Sequence, residues 1–382
     1  STPDIIVGLV FIVILLEATR RATSWVVPAI ALVCILYAYV GPWLPAPWTH
    51  RGYGLPRIVG HLFMTTEGVF GFPLYVCATL IILFTIYGAI LQHAGAGQYF
   101  IDLALRLVGR SRNGPGRAVV LASFLLGGPS GSGTATTVML GSVAAPLLKK
   151  GGMGANEAGG LLAAGGLGAV LSPPVMGAAA FLISQFLNIT YLEVVWMAVI
   201  PTCFYYFALL LMVEVRRDTV AGAEPVQSTM GWRAALLGAP HLVSLFAIVI
   251  FLSLGLSAAL SAVWAMVVAV VLSFLTPHGR LTARKLGSAL SEGVLGMIGV
   301  AATCATAGIV VGIVTMTGLG LKFSSIVLGF APGNLILAAL FSALIVWFLG
   351  LAVPISASYI ISAVVVAPAL MDLGVPAFAA HM

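Results

Sequence analysis

Long apolar runs separated by short polar segments dominate the chain. Four runs reach the roughly 20 residues that a helix needs to cross about 30 Å of hydrocarbon, namely Trp25–Leu44, Pro73–Gln92, Tyr191–Val213 and His241–Leu275. The last is long enough for two spans with a bend near Gly255, and Asp4–Glu17 is a shorter run, as a helix cut at its start would be. The pattern predicts an all-α polytopic membrane protein.

Composition supports a membrane protein and excludes other classes. Of 382 residues, 61% are hydrophobic and 7% are charged, so a water-soluble globule of this size would lack polar surface. The seventeen basic and eleven acidic residues are spread through short loops, which argues against nucleic-acid binding. The four cysteines lie inside apolar runs without a Cys-x-x-Cys spacing, so neither a disulfide nor a metal site is predicted.

The sequence also carries no signature of an enzyme. It contains neither a Walker phosphate loop nor a Gly-x-Ser-x-Gly nucleophile turn, and its Ser, His and acidic residues never assemble into a catalytic arrangement. The tryptophans, among them Trp25, Trp43 and Trp232, cluster towards segment ends as in an aromatic belt. We expect a lipid-embedded protein that is not an enzyme.

Basic residues mark the predicted cytoplasmic side. Fourteen of the seventeen fall in five loops, which hold Arg20 and Arg21, Arg106–Arg117, Lys149 and Lys150, Arg216–Arg233, and Arg280–Lys285. Placing these loops in the cytoplasm leaves only Arg51, Arg57 and Lys322 outside. This order of inside and outside loops constrains the segments between them.

The apolar segment 118–148 cannot be an ordinary span, because the basic residues at both of its ends lie on the predicted inner side. Its middle, Gly127–Thr134, combines consecutive glycines with a proline, which a continuous helix tolerates poorly. The segment therefore predicts a re-entrant hairpin with two arms of about a dozen residues each. The next segment, 155–188, contains two prolines in Leu171–Pro174, which predicts a broken helix.

The sequence repeats itself weakly at an offset of about 222 to 225 residues. Thr66–Gly71 recurs as Ser291–Gly296, and Ala144–Leu147 recurs as Val366–Ala369. By this alignment a second hairpin covers about 334–373, and since no Lys or Arg flanks it, it enters from the outside. Two copies of opposite orientation follow the inverted-repeat plan of secondary transporters, whose sites form where broken helices and hairpin tips meet.

The repeat divides the chain into four predicted parts. Residues 1–56 are N-terminal scaffold helices at the end of a small-subunit-like region, and residues 57–235 form the first repeat. Residues 236–281 are connecting helices, and residues 282–382 form the second, inverted repeat. The second repeat is incomplete by this alignment, because the counterpart of the break at Ser172-Pro-Pro174 falls beyond the last residue. We therefore expect a chain truncated at both ends, with a remaining permease segment or small membrane subunit as a partner.

The two hairpin tips are the strongest candidates for binding. The first tip, Ser132–Thr136, corresponds to Pro354–Ser358 in the second copy, and both are small, polar and helix-breaking within apolar surroundings. Small residues in membranes more often serve close helix packing, and we keep that interpretation for the glycines of 159–166. Proline with consecutive glycines goes beyond what packing requires, which favours binding at the tips.

Glu67 and Glu292 are acidic residues at equivalent positions of the two repeats. Ionisable groups at membrane depth are functional candidates, but each of these precedes its apolar run by only a few residues. We expect interfacial positions with Arg57 or Arg284 within reach. A structural or gating role is therefore favoured over ligand binding.

Several stretches taken together resemble a known family. Ser130–Ser132, Ala145–Pro146 and Pro173–Phe181 are similar to the large permease of tripartite ATP-independent periplasmic (TRAP) transporters, as are Glu17–Arg21, His50–Tyr53, Thr66–Gly68, Gly95–Gln98, Thr317–Ser325 and Val366–Ala369. The greatest similarity is to the fused type that works with TAXI binding proteins. The order and spacing of these stretches over nearly the whole chain are more specific than any single motif.

The resemblance implies the permease component of a sodium-coupled, elevator-type transporter for small organic anions (carboxylates) in the bacterial inner membrane. A TAXI-like periplasmic substrate-binding protein would deliver the substrate, and Na⁺ would be the coupling ion, with no other cofactor. The matching ion and substrate ligands would be Ser130, Gly131, Ser132, Thr134, Ser172, Pro173, Pro174, Pro354, Ser356 and Ser358. Backbone carbonyls at such breaks suit Na⁺, and half-helix N-termini suit a carboxylate.

The sequence departs from the family pattern in the helix before the Pro-Pro break. Leu162, Gly166-Leu167 and Val170 occupy places where members of this type usually have a Glu, a Ser-Thr pair and a Gln. An alternative interpretation therefore stays open, a transport-inactive structural or accessory subunit of a larger membrane complex that retains the permease scaffold. A channel is less favoured, because no ring of like charges lines a predicted segment.

Overall fold

The computed structural model describes residues 2–108, 113–215, 230–276, 279–330 and 333–382. Within these ranges the chain is all-helical, as the apolar pattern predicts. The helices are α1 (Thr2–Ala22), α2 (Val26–Val40), α3 (Leu55–Met64), α4 (Phe72–Val76), α5 (Ile82–His93), α6 (Ala96–Val108), α7 (Gly114–Ser130), α8 (Gly133–Lys150), α9 (Ala155–Gly168), α10 (Ala178–Phe186), α11 (Tyr191–Val215), α12 (Trp232–Leu237), α13 (Ala239–Ser253), α14 (Ala258–Ser273), α15 (Ala283–Thr317), α16 (Leu319–Phe330), α17 (Leu335–Ala352), α18 (Ile355–Val365), α19 (Ala367–Asp372) and α20 (Ala377–His381). A π-helical turn, Cys77–Ile81, joins α4 to α5.

Seven helical segments of the described chain are long and apolar enough to cross a membrane: Thr2–Ala22, Val26–Trp43, Phe72–His93, Tyr191–Val215, Trp232–Ser253, Ala283–Thr317 and Ile355–Asp372. The predicted runs are thereby confirmed as helices. The bend expected in 241–275 is confirmed too, because α13 ends at Ser253, α14 begins at Ala258, and Gly255 between them has a φ of 84°. The basic loop segments 109–112 and 216–229 lie outside the described residues.

The segment predicted as the first hairpin forms two helices that meet at Gly131-Ser132. The arms α7 and α8 have 17 and 18 residues, more than the predicted dozen, because the helices continue into the flanking segments. Each arm is about 26 Å long at 1.5 Å per residue, still short of the 30 Å hydrocarbon core. The second predicted hairpin also forms two helices, α17 and α18, which meet at Val353-Pro354. Its returning arm continues through α19 to Asp372 and is one of the seven segments that are long enough to cross.

The break predicted at Leu171-Ser-Pro-Pro174 is confirmed. Helix α9 ends at Gly168 and α10 begins at Ala178, so the residues between them are not helical. The first residues of α6, α7, α8 and α9 precede those of α16, α17, α18 and α20 by 223, 221, 222 and 222 residues. The internal repeat is therefore a repeat of structural elements as well as of sequence.

Two close backbone contacts involve equivalent residues of the two copies. A Cβ built on Gly308 would collide with the carbonyl of Gly68, and one built on Gly293 would lie 2.7 Å from the Cα of Ile86. At the repeat offset Gly68 corresponds to Gly293, and Ile86 corresponds to Gly308. The same close helix contact therefore occurs twice, because each residue of the first pair is equivalent to a residue of the second pair in the other copy.

The chain divides into two compact units, and the first comprises Ser1–Ile81, Phe181–Asn188 and Gly296–Met382. Its core joins α1, α2 and α3 to the second half of α15 through buried side chains such as Ile12, Leu16, Ala31, Ile58, Leu62, Ile309 and Ile313. The hydroxyl of Thr19 lies 2.7 Å from that of Thr306, so even the buried polar groups at this contact are paired.

The second unit comprises Ile82–Ala180 and Ile189–Leu295, and it contains the first hairpin and the break after α9. Helix α11 packs against α7 and α9 through Val120, Tyr206, Leu209 and Val213. The buried Tyr87 on α5 donates a hydrogen bond of 2.6 Å to the carbonyl of Ser244 on α13. The first hairpin is thus held by helices on several sides within this unit.

Candidate ion and substrate site at the helix breaks

The tip of the first hairpin is a break of two residues with defined local bonding. Gly131 ends α7 at a φ of 55°, which favours glycine, and its N–H donates to the carbonyl of Gly127. Ser132 then begins α8 as its N-cap, since its hydroxyl accepts from the N–H of Ala135 at 3.4 Å. The hydroxyl of Thr134 lies 3.2 Å from that of Ser132, which places two hydroxyls on this tip.

The break between α9 and α10 lies directly against that tip. A Cβ on Gly128 would lie 3.0 Å from the Cδ of Pro174 and 3.2 Å from the carbonyl oxygen of Pro173, and one on Gly131 would collide with the carbonyl oxygen of Met176. Neither the Pro173 nor the Met176 carbonyl accepts a hydrogen bond from any residue that the structure describes. Two backbone oxygens of the break are therefore available to a cation beside the tip.

Three side chains on α11 hold the other groups of this break. The Tyr191 hydroxyl donates to the carbonyls of Pro174, at 3.2 Å, and Val175. Thr202 donates to the carbonyl of Leu171 at 2.7 Å. The Tyr206 hydroxyl lies 2.9 Å from the Ser172 hydroxyl. These α11 residues are not among the predicted site residues, although their spacing of eleven and four residues places them on one helix face.

The second tip belongs to the first compact unit and is described by itself. Pro354 is the N-cap of α18, which has no side-chain cap among the described residues, and Ser356 and Ser358 are 5% and 9% exposed. The Tyr359 hydroxyl lies 2.9 Å from Nδ1 of His381, and both rings contact Phe186. The pairing of Tyr359 with His381 has no local signal in the sequence, because the two residues are 22 positions apart.

The predicted ligands therefore fall into groups. Gly131, Ser132, Thr134, Pro173 and Pro174 come together in one unit, whereas Pro354, Ser356 and Ser358 form the second tip. The Ser172 hydroxyl is already engaged, because it donates to the Gly168 carbonyl at 2.7 Å and contacts Tyr206. Ser130 ends α7, and its side chain lies outside the described residues.

The departure from the family pattern at Gly166 has a structural counterpart. A Cβ at this position would lie 2.7 Å from the Gly133 carbonyl and would collide with the Thr137 side chain. Helix α9 thus approaches α8 too closely at this position to leave room for a serine side chain.

The two repeat-equivalent acidic residues have histidine partners, which the sequence analysis did not predict. Glu292 accepts from His93, whose Nε2 lies 2.7 Å from Oε2, and Oε2 of Glu67 lies 3.8 Å from Nδ1 of His61. Glu292 is also inside the continuous α15, because this helix begins nine residues before it. Both carboxylates are mostly exposed, which agrees with a structural role.

No group of three or more His, Cys, Asp or Glu side chains in the described ranges could hold a metal ion. The candidate site instead offers backbone oxygens, hydroxyls and helix N-termini inside an apolar helical protein. Backbone oxygens at interrupted helices are the ligands with which secondary transporters bind alkali cations. Fold and site together define a polytopic membrane permease.

The family is given by comparison with known proteins. The chain belongs to the family described as "Tripartite ATP-independent periplasmic transporter, DctM component", whose model matches residues 10–382. This confirms the resemblance to TRAP large permeases. The family is a transporter component and not an enzyme, and the chain is a multi-pass protein of the bacterial inner membrane.

Curated relatives carry the same description. The chain is 32% identical over 107 residues to the 2,3-diketo-L-gulonate TRAP transporter large permease protein of Escherichia coli (strain K12), a match that covers 28% of this chain and 25% of the relative. It is 34% identical over 91 residues to the C4-dicarboxylate TRAP transporter large permease protein of Rhodobacter capsulatus, which covers 24% and 21%. The chain thus matches about a quarter of the length of these relatives.

Proposed function

We propose that this chain is the permease of a sodium-coupled, binding-protein-dependent transporter for small carboxylates. The observation that carries the proposal is the contact between the first hairpin tip and the break after α9, where the Pro173 and Met176 carbonyls accept no hydrogen bond from the described residues. A buried carbonyl without a partner is unfavourable in a membrane, and a sodium ion would satisfy it.

The ten residues carried over from the resemblance have distinct proposed roles. Carbonyls at Gly131, Pro173 and Met176 would contribute to Na⁺ coordination, together with the Ser132 and Thr134 hydroxyls, and Pro174, whose carbonyl accepts from Tyr191, would hold the break in place. The N-terminus of α18, with Pro354, Ser356 and Ser358, would bind the substrate carboxylate, since its first N–H groups have no side-chain cap. Ser130 and Ser172 would support the first tip.

We propose the substrate class, small organic anions, from the names of the relatives. The names of the two relatives given above contain 2,3-diketo-L-gulonate and C4-dicarboxylate, and both are small organic anions. We propose that a TAXI-like periplasmic binding protein delivers the substrate. A remaining permease segment or a small membrane subunit would complete the second half of the site.

A cationic surface on the predicted outer side supports a soluble acidic partner. The guanidinium groups of Arg51 and Arg57 lie 4.9 and 5.4 Å from the ring of Tyr53, and Lys322 donates to the Thr49 carbonyl at 2.5 Å. None of the three cations forms an ion pair with a described carboxylate. Their charge is therefore available to steer an acidic protein.

Uptake into proteoliposomes tests the proposal. With the full permease and the proposed TAXI-like binding protein, labelled 2,3-diketo-L-gulonate and C4-dicarboxylates should accumulate only under an inward Na⁺ gradient. Equal uptake with K⁺, or without the binding protein, would contradict it. Arg57→Glu should reduce uptake at low salt, whereas Lys285→Glu on the predicted inner side should leave it unchanged.

The second candidate function is a transport-inactive accessory subunit, and the close contact at Gly166 favours it because a family ligand is lost there. The two functions predict different behaviour towards sodium alone. A permease should be stabilised by millimolar NaCl relative to KCl in thermal unfolding. An accessory subunit should show equal melting temperatures in both salts.

The membrane arrangement is part of the same proposal. Residues 57–235 and 282–382 would be inverted repeats, joined by 236–281 and preceded by scaffold helices in 1–56. Both hairpins would be re-entrant and would move together in an elevator-like step. The element-by-element offset near 222 residues supports equivalent copies, and the charge pattern supports their opposite orientation.

A further inference from the structure

A groove of about 620 Å³ runs between α7 and α11 in the second compact unit. Its apolar walls include Val120 and Phe124 on α7 and Phe207 and Leu211 on α11. Phe207 and Leu211 are 58% and 47% exposed, so the groove opens outward from the helices that form it. A pocket of this volume is in the range that binds small molecules.

The dimensions of the groove match one leaflet of a bilayer. On α11 the residues that line the groove run from Thr202 to Glu214, twelve residues apart. At 1.5 Å per residue this is about 18 Å, close to half of the 30 Å hydrocarbon core. A chain lying in the groove would therefore extend from the membrane surface to the midplane.

A charged pair closes one end of this groove. Nε of Arg117 donates to Oε1 of Glu214 at 2.5 Å, and Nδ2 of Asn113 lies 3.3 Å from Oε2. The two charged side chains are 38% and 35% exposed, so both can reach a ligand. A guanidinium carries five N–H donors and binds phosphate bidentately, and a carboxylate has about four acceptor sites.

We propose that the groove binds one phospholipid with a primary-amine headgroup, such as phosphatidylethanolamine, in the leaflet on the side of Arg117. One acyl chain would occupy the apolar groove, the phosphate would bind Arg117 and the ammonium would bind Glu214. The Arg117–Glu214 pair favours this lipid because a paired cation and anion match a zwitterion. An anionic lipid would leave Glu214 facing negative charge.

Headgroup selectivity distinguishes this site from a general lipid surface. Delipidated full-length protein would be titrated with phosphatidylethanolamine, phosphatidylglycerol and phosphatidylcholine of identical acyl chains, and the complexes counted by native mass spectrometry. Phosphatidylethanolamine should bind about tenfold more tightly than the others, as expected for a charge-assisted hydrogen bond. Choline has no N–H to donate to Glu214.

Glu214→Gln tests the headgroup assignment. The amide oxygen still accepts from Arg117, but the negative charge is lost, so the preference should shift to phosphatidylglycerol. An unchanged preference would overturn the proposal. Gel filtration and thermal unfolding of the variant separate loss of lipid from loss of fold.

Two tryptophan variants of α11 test the acyl-chain groove. Cys203→Trp fills the groove and should abolish retention of the lipid, whereas Phe204→Trp on the adjacent position, which does not line it, should retain one lipid per chain. Equal retention by both would contradict the proposal. Cross-linking of Cys203 to another protein chain in native membranes would show that a subunit occupies the groove and would also overturn it. These measurements do not depend on transport, so their outcome is separate from that of the proposed function.

Discussion

Ser132 combines a structural and a proposed binding role at the first tip. Its hydroxyl caps α8 and lies beside the Thr134 hydroxyl, next to the glycine that lets the chain turn between two helices. Prolines and glycines made this tip predictable from sequence. The hydroxyl of Ser172 was not predictable in the same way, because its partner Tyr206 is 34 residues away.

Replacing Ser132 by alanine should weaken both functions of its hydroxyl. Loss of the N-cap should lower the free energy of unfolding by about 1 kcal/mol, and the sodium-dependent part of the thermal stability should also fall. Ser142→Ala is the matched control, because this exposed hydroxyl on α8 bonds only within its own helix, to the Met139 carbonyl. Equal effects of the two substitutions would argue against a special role for the tip.

Helix α11 supports the break after α9 along one face. Tyr191, Thr202 and Tyr206 contact successive parts of that break, so α11 sets which carbonyls are engaged and which are available. Sequence reasoning located both breaks, since proline and glycine act locally on the backbone. It could not locate these supports, because an apolar helix gives no local sign of which face meets a distant segment.

Tyr191→Phe should release the Pro174 and Val175 carbonyls. Leaving buried acceptors unsatisfied should cost about 1 to 3 kcal/mol of unfolding free energy. The apparent affinity for Na⁺, measured from the salt dependence of the melting temperature, should change with it. Tyr205→Phe is the control, because its hydroxyl bonds the Ala164 carbonyl within helix α9. It should change stability less and leave the sodium dependence intact.

The close contact of α9 with α8 leads to a prediction about substitutions in α9. Gly166→Ala should destabilise the protein by about 1 to 3 kcal/mol, because the added methyl meets Thr137 and the Gly133 backbone. Gly159→Ala in the same helix meets nothing within 4 Å and should stabilise by about 0.5 to 1 kcal/mol through helix propensity. Chemical denaturation in detergent would measure both. A stabilising Gly166→Ala would show that the two helices are not closely packed in solution.

At the scale of the whole molecule, the repeat was the most informative feature of the sequence. Two short blocks at offsets of about 222 to 225 residues sufficed to predict the second hairpin, and the helices confirm that offset. The lengths of the hairpin arms were underestimated, because charged and glycine residues at their outer ends still continue the helices. The histidine partner of Glu292 comes from a distant helix, and that of Glu67 lies six residues before it, so neither has a signal at the repeat spacing.

Cysteine labelling tests the orientation of the two copies. In a background with the native cysteines replaced, Asn113→Cys and Lys150→Cys at the two ends of the first hairpin should react with a membrane-impermeant maleimide only from the cytoplasmic side. Asn334→Cys and Asp372→Cys at the ends of the second should react only from the outside. Reaction of all four from one side would refute the inverted arrangement.

The two copies differ at one proline. Helix α8 continues through Pro146, whereas the equivalent Pro368 begins the separate helix α19, after α18 has ended at Val365. The returning arm of the first hairpin is therefore one continuous helix from tip to base. The returning arm of the second is interrupted at Val366, about one third of its length from the base. We therefore expect the first tip and Lys150 to move together because α8 is continuous, and the second tip to tilt about Val366, where α18 ends. The returning arms of the two equivalent hairpins should therefore differ in how easily they bend.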